Sequence, residues 1–232
     1  MSSNDMESPE AIAGAIDHSL LKITEHTRAL ALRVAVADMR NYGFRALVVP
    51  PNLVATVKTH NPDIRVAAVV SYPMGCDTTA CKLFAMEEAR EFGADEVDVV
   101  LDLFAVKAAN WAKVEDEAGR LCERARGLGL LIKLIFETPI LSDEEIAALC
   151  RAVRGTGADF WKTSTGYGRD ATTENAVRLL AGNAPEGVRV KASGGISNLE
   201  TARAMLAAGA SVIGTSSGPR IVEEARAAVA SK

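Results

Sequence analysis

The sequence predicts a single eight-fold β/α (TIM) barrel, an α/β fold. Three observations carry that expectation. Eight short apolar runs alternate along the chain with longer amphipathic stretches. Several of the runs lack period-two alternation, which is how strands covered on both faces read. No glycine-rich dinucleotide fingerprint follows the first run, although the rival open doubly wound sheet calls for one. Parallel strands joined by right-handed helical crossovers close most simply as a barrel.

In chain order the runs are AIDHSL (15–20), RALVVP (45–50), RVAAVVSY (65–72), EVDVVL (96–101), LLIKLIFE (130–137), DFWKTST (159–165), RVKASG (189–194) and SVIGTS (211–216). The helical pattern over 80–92 stops at Gly93. The one over 143–154 opens with Ser142 and Glu145, a capping box, and Ser197 with Glu200 repeats that signature further on. Pro219 suits the first turn of a last helix over 220–230. Residues 1–10 read as a loose leader and 11–232 as one barrel domain.

Hydrophobic residues make up 48% and charged residues 24% of 232, an ordinary globular balance and enough chain for one full barrel. The net charge of −4 comes without a basic patch, which argues against a nucleic-acid partner. An anionic substrate would have to meet local positive charge. No apolar run reaches membrane length and no signal peptide opens the chain, so no membrane partner and a reduced cytoplasmic location are expected. Cys76, Cys81, Cys122 and Cys150 form no C-x-x-C or zinc spacing and read as small buried hydrophobes. His18, His26 and His60 fit no metal pattern, so neither metal nor other cofactor is expected. Trp111 and Trp161 read as packing residues.

Four charged residues interrupt the apolar runs: Asp98, Lys133, Lys162 and Lys191. The three lysines follow one another at intervals of 29, about one β/α unit, so they are expected at equivalent positions on neighbouring strands. An ammonium inside a barrel is costly unless paired or deprotonated, and crowded cations lower one another's proton affinity. A lysine so depressed is a nucleophile near neutral pH and forms a Schiff base with a carbonyl. Any one of these lysines taken alone reads equally as a stem snorkelling to solvent. Asp98 is also open to a loop-capping or ion-pairing reading.

The segments IDHSLLK, GADEVDVV, DFWKTSTGYG, VKASGGI and IGTSSG, in that order, resemble the deoxyribose-phosphate aldolase family over nearly the whole chain. The resemblance implies a metal-free class I aldolase that interconverts 2-deoxy-D-ribose 5-phosphate with acetaldehyde and D-glyceraldehyde 3-phosphate. It assigns the Schiff base to Lys162, its perturbation and proton transfer to Lys191, and a proton relay to Asp98. It also implies a homodimer. Lys133 is expected as a further member of the network. Asp17 reads either as a substrate contact at the top of the first strand or as a cap. Glu137 shares strand parity with Lys133 and reads as a group at the barrel mouth or as part of a structural ion pair.

Barrel enzymes often hold phosphate on the loops after strands seven and eight, at helix N-termini. Gly194 and Gly195 end the seventh run, Ser216 and Ser217 end the eighth, and Gly166 closes a third side. Two departures stand out. The family often carries arginine where this chain has Ser197, which removes one charged contact unless Arg169 or Arg220 replaces it. The family's D-H-T-L-L-K-P opening reads D-H-S-L-L-K-I, a mild change. Two other readings remain: a related class I aldolase for a different aldehyde or phosphosugar, and a non-catalytic phosphosugar-binding barrel. An isomerase on the same barrel would use a carboxylate base instead.

Overall fold

The computed structural model describes residues 8–22 and 30–231; His26 and residues 1–7 of the expected leader lie outside them. Eight strands form the barrel wall: β1 (Ile16–Ser19), β2 (Ala46–Val49), β3 (Val66–Val70), β4 (Glu96–Val100), β5 (Leu131–Ile135), β6 (Phe160–Lys162), β7 (Arg189–Ser193) and β8 (Val212–Thr215). All pair in parallel and in chain order, and β8 closes on β1. Every predicted run supplies one strand, trimmed at its ends. The run over 159–165 is trimmed most, because Thr163–Thr165 leave the sheet to build the mouth.

The surrounding helices are α1 (Pro9–Gly14), α2 (Leu30–Tyr42), α3 (Pro51–His60), α4 (Thr79–Glu91), α5 (Leu103–Lys107), α6 (Trp111–Leu128), α7 (Asp143–Val153), α8 (Glu174–Asn183), α9 (Leu199–Ala207) and α10 (Gly218–Ala230). Ser8 caps α1, so residues 8–10 of the expected leader belong to the fold. The capping box of Ser142 and Glu145 is formed at α7. The one expected from Ser197 and Glu200 is not. Asn198 caps α9 instead, accepting from the Thr201 amide at 2.8 Å. Asn caps as well as Ser does, and its position one residue later frees Ser197 to line the barrel mouth.

The main apolar core lies between barrel and helices, where Val97, Val99, Leu134 and Trp161 face outward from their strands. Inside the barrel the only apolar cluster among the described residues is small, Val48, Ala67 and Val69 on β2 and β3. The rest of the interior sets charged side chains among single apolar ones, such as Val100 and Ile135, which share the strand faces of Asp98 and Lys133. Phe160 closes its floor, with the Arg189 guanidinium 4.1 Å from the ring centre.

The cysteines divide two and two. Cys122 and Cys150 are buried as expected, but Cys76 and Cys81 are exposed, because they sit in the β3–α4 loop and the first turn of α4. One buried pair gave no signal in the sequence: Lys82 on α4 donates to Glu117 on α6 at 2.9 Å and to the Val100 carbonyl at 2.8 Å. Glu117 also accepts from the Asp102 amide at 2.8 Å, so the pair pins the end of β4 to two helices. Replacing Glu117 with Ala strands a buried ammonium and should cost about 3–5 kcal/mol in urea unfolding. A loss below about 1 kcal/mol, the range of an exposed pair, would show that the clip is dispensable.

Candidate active site

At the C-terminal end of the barrel the loops enclose a cavity of about 260 Å³. Lys162 and Lys191 reach its floor, and Lys22, Gly166, Ser193, Gly194, Gly195, Ser197, Ser216 and Ser217 form its walls. Every glycine and serine expected there lines it. Asp98, Asp17 and Lys133 do not; they lie fully buried inside the barrel.

The strand register explains this division. Lys162 and Lys191 are direct neighbours across β6 and β7. Lys133 pairs with Asp98, whereas Lys162 pairs with Ile135, two residues further along β5. Equal spacing in sequence therefore does not give equal height. The stagger between β5 and β6 drops Lys133 one layer below the other two.

Below the cavity an ionic network fills the barrel. Oδ2 of Asp98 accepts from Lys162 and Lys191, each at 2.8 Å, and its Oδ1 accepts from Lys133 at 2.8 Å. Lys191 also donates to Asp17 at 2.6 Å, and Lys133 donates to Glu96 at 2.5 Å. Arg45 donates to Asp17 at 2.7 Å and, through its two terminal nitrogens, to Glu96 at 2.9 and 2.6 Å. Four cations thus share three carboxylates.

That surplus falls on Lys162. Burial lowers its pKa; Asp98 opposes this, Lys191 and Lys133 reinforce it, and the amine titrates at about 8. Lys133 is just as buried, and burial pulls it down too, yet Asp98, Asp17 and Glu96 overcome this and hold it above the ordinary lysine range. The difference is the number of carboxylates within reach. Burial pushes the Asp98 carboxyl up, but Lys133, Lys162 and Lys191 outweigh it and hold it well below the usual range. Asp17 behaves alike, held at about 2 against burial by Lys191, Lys133 and Arg45. Both aspartates stay ionised as acceptors. Asp17 is neither a cap nor a wall of the cavity, but the counter-ion that anchors Lys191 from β1.

The mouth is held by hydroxyls. Ser164 donates to the Ser193 carbonyl at 2.5 Å, and Ser193 returns a bond of 2.5 Å to the Ser164 carbonyl, locking the ends of β6 and β7 together. Gly194 has φ +99°, and a Cβ there would lie 2.4 Å from the Ser164 hydroxyl, so the turn requires glycine. Gly214 answers a different need. A Cβ at that position would lie 2.9 Å from Lys191 Cε, in the space the lysine stem occupies. Ser217 precedes α10 without capping it by its side chain. The Tyr72 ring stands 5.9 Å from the Lys162 amine, and its hydroxyl donates to the Thr165 carbonyl. Glu137 accepts from the Thr165 amide at 2.8 Å, which sets it at the barrel mouth, one of its two readings, as a support for the backbone.

Several of these residues were missed in the sequence. Glu96 lay within reach, two residues before Asp98 and hence on the same strand face. Lys22 sits in the IDHSLLK segment without a signal of its own. Arg45 flanks a strand as many surface arginines do, and Tyr72 ends an apolar run. Arg220, one candidate to replace the family arginine, pairs with Glu224 at 2.7 Å on the outer surface.

A closed parallel barrel whose mouth sets one under-paired amine beside a glycine- and serine-lined cradle is the framework of an amine-centred barrel enzyme. Comparison with known proteins is specific: residues 11–223 match the DeoC/LacD family aldolase model, and the chain belongs to that family. The deoxyribose-phosphate aldolase of Caldanaerobacter subterraneus subsp. tengcongensis is 38% identical over 94% of this chain and 95% of its own. That of Thermococcus gammatolerans is 39% identical over 93% and 96%. Among solved structures, the deoxyribose phosphate aldolase of Aeropyrum pernix superposes with a TM-score of 0.87 at 30% identity, covering 98% of this chain and 100% of that one.

Lys162 sheds its proton more readily folded than unfolded. Unfolding therefore takes up a proton between about pH 8 and 10.5, and this group's contribution to stability grows with pH over that interval. The same value predicts that reductive alkylation of Lys162, followed by peptide mass mapping, rises in rate to a midpoint near pH 8. A midpoint at the ordinary lysine value would contradict the network's effect.

Proposed function

We propose that this chain reversibly cleaves 2-deoxy-D-ribose 5-phosphate to D-glyceraldehyde 3-phosphate and acetaldehyde through a Schiff base on Lys162. One observation carries the reading: Lys162 is the amine at the cavity floor whose only carboxylate oxygen is shared with a second lysine. Its neutral form attacks the C1 aldehyde of the open-chain sugar to give a carbinolamine, and loss of water gives an iminium. The iminium accepts the electron pair of the C2–C3 bond as that bond breaks and the C3 hydroxyl loses its proton. Glyceraldehyde 3-phosphate leaves; the enamine that remains is protonated at C2 and hydrolysed to acetaldehyde. Asp98 and Lys191 move protons through a water at the carbinolamine and enamine steps. Lys133 and Asp17 act from below, by holding those groups in place.

The phosphate belongs at the opposite wall, on Gly166, Gly194, Gly195, Ser216 and Ser217 at the start of α10. With Ser197 in place of arginine, Lys22 is the cation on that wall which supplies charge to the anion. The reading extends to a cytoplasmic enzyme that pairs as a homodimer. The Aeropyrum pernix relative is described as a tetramer, and sedimentation equilibrium separates the two states.

Borohydride with acetaldehyde should leave a reduced ethyl adduct on Lys162, located by peptide mass mapping. An adduct elsewhere with Lys162 unmodified would overturn the assignment. Lys22→Met should raise KM for the phosphorylated sugar by ~10-fold or more, the worth of a charged hydrogen bond, and leave turnover of unphosphorylated deoxyribose unchanged. Equal losses on both substrates would remove Lys22 from the phosphate site.

A further inference from the structure

Glu96 and Arg45 stand behind the reacting layer. Neither lines the cavity, and neither bonds to Lys162. They are nonetheless wired to every group that does the work. Glu96 takes two nitrogens of Arg45 and the amine of Lys133; Arg45 also holds Asp17, and Asp17 in turn holds Lys191. A guanidinium keeps its charge at any working pH, so Arg45 is a fixed positive unit inside the network.

We propose that Glu96 and Arg45 are positioning residues whose opposite charges set how many protons the buried network holds, and thereby make Lys162 the member that goes without one. The inference rests on Lys162 as the Schiff-base lysine. With both residues present, the cations outnumber the carboxylates by one. Removing the charge of Glu96 raises the surplus to two and turns Lys133 more fully onto Asp98, which weakens Asp98 as a partner for Lys162. Removing the charge of Arg45 brings the count level, so each lysine has a carboxylate to itself and Lys162 keeps its proton.

The other groups around Lys162 stay constant in such a comparison. They are Tyr72, whose ring faces the amine, Glu137 in the loop after β5, and Lys22 on the cavity wall. Further back, Arg65 approaches Glu96 at 3.6 Å from a largely exposed position, and Arg189 lies over Phe160.

The test is the pH dependence of kcat/KM for 2-deoxyribose 5-phosphate cleavage in Glu96→Gln, Arg45→Gln and the double variant. The acid limb reports the free enzyme's essential amine. It should move to lower pH in Glu96→Gln and to higher pH in Arg45→Gln. Each shift should be on the order of one pH unit, for a unit charge acting at an effective dielectric of about 20. The double variant restores the surplus of one and should return close to the parent profile. Single variants that shift in the same direction, or folded ones that do not shift at all, overturn the proposal. If a neutral variant fails to fold, Glu96→Asp and Arg45→Lys keep the charges and should leave the limb in place; a displacement of about one unit in these also overturns it. Failure of acetaldehyde to trap Lys162 in the parent protein would instead sink the Schiff-base reading, which separates the two outcomes.

Discussion

Oδ2 of Asp98, a single carboxylate oxygen, accepts from two lysines at 2.8 Å each inside a barrel that holds four cations and three carboxylates. The rest of the site depends on that shortage. In water a missing counter-ion costs little, because solvent screens the charge. In a dry interior the network lowers its energy by losing a proton from its least supported member. Lys162 is that member by position: it alone among the three lysines touches no second carboxylate.

The barrel is what makes so crowded an arrangement possible. The charged side chains come from six strands or strand ends, with Glu96 and Asp98 sharing β4, and the wall behind them is packed apolar residue against apolar helix, so the charges meet without displacing the core. Closing β8 on β1 brings Asp17 beside Lys191 although they stand far apart in sequence, and the Arg45 guanidinium ties β1 to β4 across the floor. The hydroxyl bonds between Ser164 and Ser193 then fix the height at which the two cavity-floor lysines end. Pairing, tilt and turn chemistry thus act together on the separation of two nitrogen atoms.

The strands were legible because their apolar composition matches double-sided burial. Lys162, Lys191 and Asp98 were legible because a charge set within such a run must find a partner inside the barrel or reach its mouth. The glycines and serines of the mouth followed from barrel anatomy. What escaped depends on quantities a linear chain does not display. The height of Lys133 follows from the stagger between β5 and β6, which the constant interval of 29 residues conceals. Arg45 joins the network from outside a strand, by the reach and curl of its own side chain. The cap of α9 moved from Ser197 to Asn198 because two adjacent residues were competent and the loop had another use for the first. Cys76 and Cys81 were misplaced because the loop after β3 and the first turn of α4 carry them outward.

Gly214 has no side chain to contribute, yet the stem of Lys191 lies in the space a side chain there would fill. The bare backbone of one strand is the sleeve in which the neighbouring strand's functional group is seated. Position 214 therefore behaves, under mutation, as though it belonged to the chemistry: even a single methyl group would reach the reaction by crowding a lysine it never bonds to. Among the parts that make this site reactive is a hydrogen atom where most residues carry carbon.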